Sequence, residues 1–132
     1  MTDAGRDVVA VGTDVVAVAR IAKLIEQRGR VFLQRWFTPD EIAACSARAT
    51  PAVHFAAHFA AKEAAFKALP GRWDGPVPWR DIEIRQANPG QASVTLSGAV
   101  ETLAAQAGIG RILVSFTRTA THAIAVAVAQ RA

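Results

Sequence analysis

The chain has 132 residues, a net charge of +4, 52% hydrophobic residues and 20% charged residues, which is the profile of one globular domain over residues 1–132 rather than a disordered or fibrous chain. No apolar run approaches the roughly 20 residues of a membrane span, and the polar start precedes no secretory hydrophobic region, so the expectation is a cytoplasmic chain with no membrane association. The positive charge favours an anionic partner, but the arginines are scattered and no aromatics interleave with them, which argues against nucleic acid.

Val8 to Val18 is β-branched and mostly apolar and reads as a buried strand. It contains Asp14. Ala19 to Gln27 reads as a helix that Gly29 ends. Thr38-Pro39-Asp40-Glu41 is a helix start: Thr38 caps, Pro39 fits the first helical position, and Glu41 completes a capping box. Cys45, the sole cysteine, has no disulfide partner within the chain and reads as a small buried residue on that helix. Thr50-Pro51 opens a second helix running to about Leu69, where Pro70-Gly71 stops it. Phe55, Phe59, Phe66 and Leu69 share one face of it, with Glu63 and Lys67, four apart, beside that face.

Arg72 to Pro78 is a Gly/Pro-rich loop, and no stacking role is readable for Trp36, Trp73 or Trp79. Asp81 to Arg85 alternates, Asn88-Pro89-Gly90 is a turn, and Val94 and Leu96 alternate again. Ser97 is placed to cap a helix ending near Gly108. Arg111 to Thr117 and His122 to Val128 are strands joined by a hairpin at Arg118–Thr121. The order β-α-α-α-β-β-α-β-β predicts an α+β domain: a mostly antiparallel sheet with helices packed on one side.

Asp14 and Glu63, with Lys62 and Lys67 nearby, suit a hard cation and phosphate groups better than a core. Taken alone, the Glu63/Lys67 pair reads first as a solvent-facing helical ion pair. Gly12-Thr13-Asp14, with Arg20-Ile21 following, resembles the first signature of the 4'-phosphopantetheinyl transferases, and Phe59-Ala60-Ala61-Lys62-Glu63-Ala64-Ala65-Phe66-Lys67-Ala68 resembles their second. Phe37 to Glu41, Trp79 to Ile84, and Val114 to Thr117 followed by Ala123 to Ala125 are similar to segments of the small holo-acyl-carrier-protein synthase type.

The resemblance implies transfer of the phosphopantetheine arm of coenzyme A to a serine of an apo acyl carrier protein, by default in fatty acid synthesis with polyketide carriers as the alternative, and with adenosine 3',5'-bisphosphate as the other product. It implies Asp14 and Glu63 as magnesium ligands, Lys67 on the coenzyme phosphates with Lys62 near them, and Arg20 on the acidic helix of the carrier. Arg28 and Arg30 join Arg20 by position, and only Arg20 lies in the motif. It also implies a homotrimer with active sites between subunits. The sequence departs from the family pattern twice: His58 stands where many relatives carry arginine, and Arg118 where many carry histidine. Arginine stays protonated, so a proton-transfer role does not carry over to Arg118, whereas a coenzyme phosphate contact does. His58 is assigned the same kind of contact. The competing expectation is a carrier-binding module of the same fold without turnover.

Overall fold

The computed structural model describes residues 7–88 and 91–132. The elements run β1 (Val8–Ala17), α1 (Val18–Arg28), α2 (Arg30–Trp36), α3 (Pro39–Ser46), α4 (Pro51–Lys67), β2 (Ile82–Asn88), β3 (Gln91–Leu96), α5 (Gly98–Gln106), β4 (Ile109–Arg118) and β5 (His122–Arg131). This is the predicted α+β class. The expected sheet is divided in two: a three-stranded sheet in the order β1-β5-β4 and a separate β2-β3 pair, antiparallel throughout.

The helix starts follow local chemistry. Thr38 forms the full capping box of α3, its hydroxyl accepting from the Glu41 amide at 3.2 Å while Glu41 accepts from the Thr38 amide at 2.8 Å. Gly29, at φ 53°, closes α1 as expected, but the chain turns there directly into α2, a helix the sequence reading did not contain. Arg30–Trp36 is short and has no polar cap, so its signal is only that Phe32 and Trp36 fall on one side. Ser97 does not cap α5 with its side chain. The Asp81 carboxylate instead accepts from the Val100 amide at 3.4 Å, against the close approach that Gly98 allows. Thr50 likewise makes no capping bond for α4. The turn expected at Asn88-Pro89-Gly90 falls on Pro89 and Gly90, outside the described residues. At the β4–β5 hairpin, the Thr119 hydroxyl accepts from the Thr121 and His122 amides, the side-chain-to-backbone turn that threonine favours.

α4 is the centre of the molecule. The expected single apolar face is too narrow a description, because Ala56, Ala60, Ala61, Ala64 and Ala65 are as buried as Phe55 and Phe59. A helix apolar all round belongs inside a core. It lies across the three-stranded sheet, whose central strand turns Ala123, Ala125, Ala127 and Ala129 toward it, all fully buried. Alanine facing alanine lets helix and sheet approach closely. The larger residues of the same strand, Ile124 and Val126, point outward and are exposed. A stack of Phe59, Trp36 and Trp79, with successive ring centroids 4.0 and 4.2 Å apart, ties α4 to α2 and to the turn before β2.

Candidate active site

On β1, Gly12, Asp14 and Val16 share the inward face by the two-residue strand period. Gly12 is there because nothing larger fits. A Cβ on it would lie 2.0 Å from the Ala64 carbonyl oxygen and 2.7 Å from the Ala68 nitrogen. The missing side chain brings β1 against the end of α4, and Asp14, two residues on, meets the side chains of that helix. The quoted motif contained Gly12, but its role was not read. A glycine inside a β-branched strand is the signal for a close backbone approach.

The structure brings Asp14, Glu63 and Lys67 together. Lys67 Nζ donates to Asp14 Oδ1 and to the Thr13 carbonyl, both at 3.2 Å. The Asp14 side chain is 13% exposed and that of Lys67 51%, so the cluster sits at the rim of the core, open to solvent on one side. Glu63 is half-buried. Burial pushes its carboxyl above the ordinary range and the Asp14 charge pushes it further, while Lys67 and Arg20 pull the other way. The two carboxylates repel each other here, and the Lys67 ammonium and the Arg20 guanidinium act against that repulsion.

That donor set fits a hard divalent cation. Among the described residues no group of three or more His, Cys, Asp or Glu side chains converges, so a closed zinc-type cage is not built here. A pair of carboxylates that leaves the rest of the coordination shell to water and phosphate oxygens is the arrangement magnesium favours.

Lys62 is a correction. It was expected near coenzyme phosphates, but it is 0% exposed and points into the molecule. Its Nζ lies 2.7 Å from Glu41 Oε1 and donates to the carbonyls of Trp79, at 3.0 Å, and Ile82. Consecutive helical residues diverge by about 100°, so a helix that offers Glu63 to Asp14 turns Lys62 away from it. Glu41, read only as a cap, is the buried partner. It also accepts from the Ile84 amide at 3.1 Å and stands 3.3 Å from His58 Nδ1. Burial alone would raise its carboxyl, but His58, Lys62 and the Thr38 amide together hold it below the ordinary range. Cys45, buried on α3 as expected, has its thiol pushed up to about 12 by burial and by Glu41, which makes it inert.

His58 is a second correction, since it too is buried and turned to Glu41 rather than to a phosphate, and Arg118 is not brought to the Asp14 cluster within one chain. His58 lies five residues before Glu63, about 7.5 Å along the helix axis, and its ring is 6.2 Å from that of Phe116 on β4. Arg118 is exposed at the end of β4, where its charge helps, after burial, to lower the proton affinity of His54. Arg20 and Arg28 line one groove between α1 and α2, which also holds Arg35, a residue the sequence reading had not singled out, over a floor of Phe32, Trp36 and Phe59. The Arg20 guanidinium sits 5.5 Å from the Phe59 ring centroid.

Comparison with known proteins gives the family and the fold. The family model of the 4'-phosphopantetheinyl transferase superfamily matches residues 10–127. A holo-[acyl-carrier-protein] synthase of Rhodopirellula baltica is 43% identical over 121 residues, covering 92% of this chain and 96% of that protein. The crystal structure of the holo-[acyl-carrier-protein] synthase of Neisseria meningitidis superposes with a TM-score of 0.83 at 30% identity, over 95% of this chain and 100% of that one. The Helicobacter pylori holo-[acyl-carrier-protein] synthase, solved in complex with coenzyme A, superposes with a TM-score of 0.70 at 29% identity, over 90% of this chain and 98% of that one. From its first strand to its last, the chain belongs to the 4'-phosphopantetheinyl transferase superfamily, on its holo-acyl-carrier-protein synthase branch.

Proposed function

We propose that this chain transfers the 4'-phosphopantetheine arm of coenzyme A to a serine hydroxyl of an apo acyl carrier protein, in the service of fatty acid synthesis. The serine oxygen forms a bond to the β-phosphorus of the pyrophosphate. The bond from that phosphorus to the bridging oxygen breaks, and adenosine 3',5'-bisphosphate leaves. The single observation that carries the reading is the convergence of Asp14, Glu63 and Lys67 at the rim of the core, in a chain of this family.

Asp14 and Glu63 would hold a magnesium ion, which when bound supplies electrostatic stabilisation to the pyrophosphate. Lys67, exposed and already turned toward Asp14, binds phosphate oxygens and offsets the charge that grows on them as the bond breaks. Glu63 has a second role open to it. Its raised proton affinity makes one of its oxygens a suitable acceptor for the serine proton. The repulsion between the two carboxylates also favours uptake of a cation between them.

The arginine groove is the docking surface for the carrier. Arg20, Arg28 and Arg35 meet an acidic helix, and exposed Val31 on its lip meets an apolar residue of it. The outer face of the three-stranded sheet supports the homotrimer. Val11, Val15, Leu113, Ile124 and Val126 are all exposed there, with Val15 opposite Ile124 in register. That is an apolar surface a second copy would cover. In such an assembly Arg118, which does not reach Asp14 in its own chain, would contact coenzyme phosphates from across the subunit boundary. A cytoplasmic location belongs to the same reading, supported by the buried free thiol of Cys45.

Intact-mass measurement of an apo carrier after incubation with coenzyme A, magnesium and this protein tests the proposal. The expected result is a gain of one phosphopantetheine, abolished by EDTA and by Glu63→Ala. A folded protein that binds carriers but adds no mass to any of them would be a docking module instead. Light scattering that finds only monomers would remove the trimer.

A further inference from the structure

α4 carries two ionic faces. His58 and Lys62, four apart, point inward to Glu41. Glu63 and Lys67, four apart, point outward to Asp14. Between the two faces lies a fixed angle of about 100° set by helix geometry, so whatever grips the first aims the second. Glu41 makes that grip from outside the helix. Its one carboxylate, 2% exposed, joins the start of α3 through the Thr38 amide, β2 through the Ile84 amide, and α4 at two positions one turn apart. Lys62 completes it by donating to the Trp79 and Ile82 carbonyls. Little slack remains elsewhere, because β1 at Gly12 already touches the backbone of α4. A small turn of the helix would drive Lys67 Cβ into β1 or draw Glu63 away from Asp14.

We propose that Glu41 is a positioning residue of the transfer reaction, resting on the roles given above to Glu63 and Lys67: it grips α4 through Lys62 and His58 and so fixes the helix rotation that turns Glu63 and Lys67 toward Asp14. Glu41 touches no substrate. Toward the three-stranded sheet α4 is rich in alanine, and those short side chains give the sheet no deep ridges with which to lock the helix. A directional ionic clamp supplies the register that apolar packing of small residues leaves loose.

The experiment compares the purified full chain with three variants, using coenzyme A, an apo carrier and a magnesium titration, with thermal melts run alongside. Glu41→Gln keeps the shape of the side chain and removes its charge. Glu41→Leu combined with Lys62→Met replaces the pair by apolar groups of similar size. Val100→Ala, in the core on α5, is the control for lost stability alone. The expected result for Glu41→Gln is a kcat per folded molecule reduced about 10- to 100-fold, the scale of a misplaced catalytic group. The magnesium concentration for half-maximal rate rises, and KM for the carrier, whose arginine contacts are on α1 and α2, stays constant. Val100→Ala lowers Tm and leaves kcat unchanged. The double variant recovers Tm without recovering kcat, and it decides the matter by itself should Glu41→Gln fail to fold. Wild-type kcat and magnesium response in either folded Glu41 variant overturns the positioning role. A wild-type chain that transfers nothing overturns it together with the function on which it rests.

Discussion

Two clusters of charge share α4, and they differ in whether their charges are answered. The inner one, Glu41 with Lys62 and His58, is closed. Its carboxylate and ammonium are buried and opposed, and among the described residues no buried side-chain polar atom lacks a partner. The outer one, Asp14 with Glu63 and Lys67, is open to solvent at the rim, two carboxylates that repel each other beside a half-exposed ammonium and within reach of the Arg20 charge. A satisfied network specifies a fold, whereas an unsatisfied one stores affinity for whatever completes it. The two lie a single residue apart in sequence, at Lys62 and Glu63. Helix geometry alone sends one to structure and the other to chemistry.

Breaking the inner cluster should have the largest effect on stability. Lys62→Met leaves Glu41 buried without its main counter-charge and should cost about 3–5 kcal/mol, read by urea denaturation. A loss below about 1 kcal/mol would mean that the Ile84, Thr38 and His58 contacts suffice without the ion pair. Breaking the outer cluster should act on rate instead. Glu63→Ala should lower kcat by about 10²–10³-fold, equivalent to about 2.7–4 kcal/mol of transition-state stabilisation. Its melting temperature should stay close to that of the wild type, and a collapse in Tm would show that Glu63 belongs to the fold.

Magnesium should sharpen the contrast. At one hundred times its Kd it should stabilise the wild type by about 2.7 kcal/mol, and it should leave the melting of an Asp14→Asn, Glu63→Gln variant where it was. An equal shift in both would place the ion elsewhere. Gly12→Ala attacks the contact that brings β1 to α4, and overpacking of this kind typically costs about 1–3 kcal/mol. Crystallography of that variant should show β1 displaced from the end of α4, and an undisplaced strand would contradict the close approach.

The smallest effect concerns pH, where the clusters should respond with opposite sign. The Glu63 carboxyl is raised, so the folded chain holds that proton more tightly than the unfolded one. The associated stability is present below the ordinary carboxylate value of 4.5 and is lost as pH rises through the raised pKa. Glu41 is lowered. Its contribution is present above that ordinary value and is lost as pH falls through the lowered pKa. In EDTA, the stability of Glu63→Gln relative to the wild type should therefore climb as pH rises from 4.5 toward neutrality. A flat difference would sink the electrostatic account of Glu63.

Much of this was legible in the chain. The capping box at Thr38 and Glu41 forms as written because it is local, made by residues three apart. The α+β class follows from hydrophobic periodicity, and the strands from β-branched runs. Asp14, Glu63 and Lys67 were readable as a set because residue type and helical spacing point to a phosphate and metal chemistry, and because the motifs carrying them resemble a known family. What the sequence could not determine is direction. β5 alternates, but both of its sets are apolar, and only packing against an alanine-rich helix decides that the small set goes inside and Ile124 and Val126 stay out. Lys62 and Glu63 were both charged residues on a helix, and nothing local says which faces the core. That was decided by Glu41, 21 residues earlier, whose buried carboxylate makes a fully enclosed ammonium tolerable, and by Gly12, whose missing side chain lets a strand close on the helix's other face.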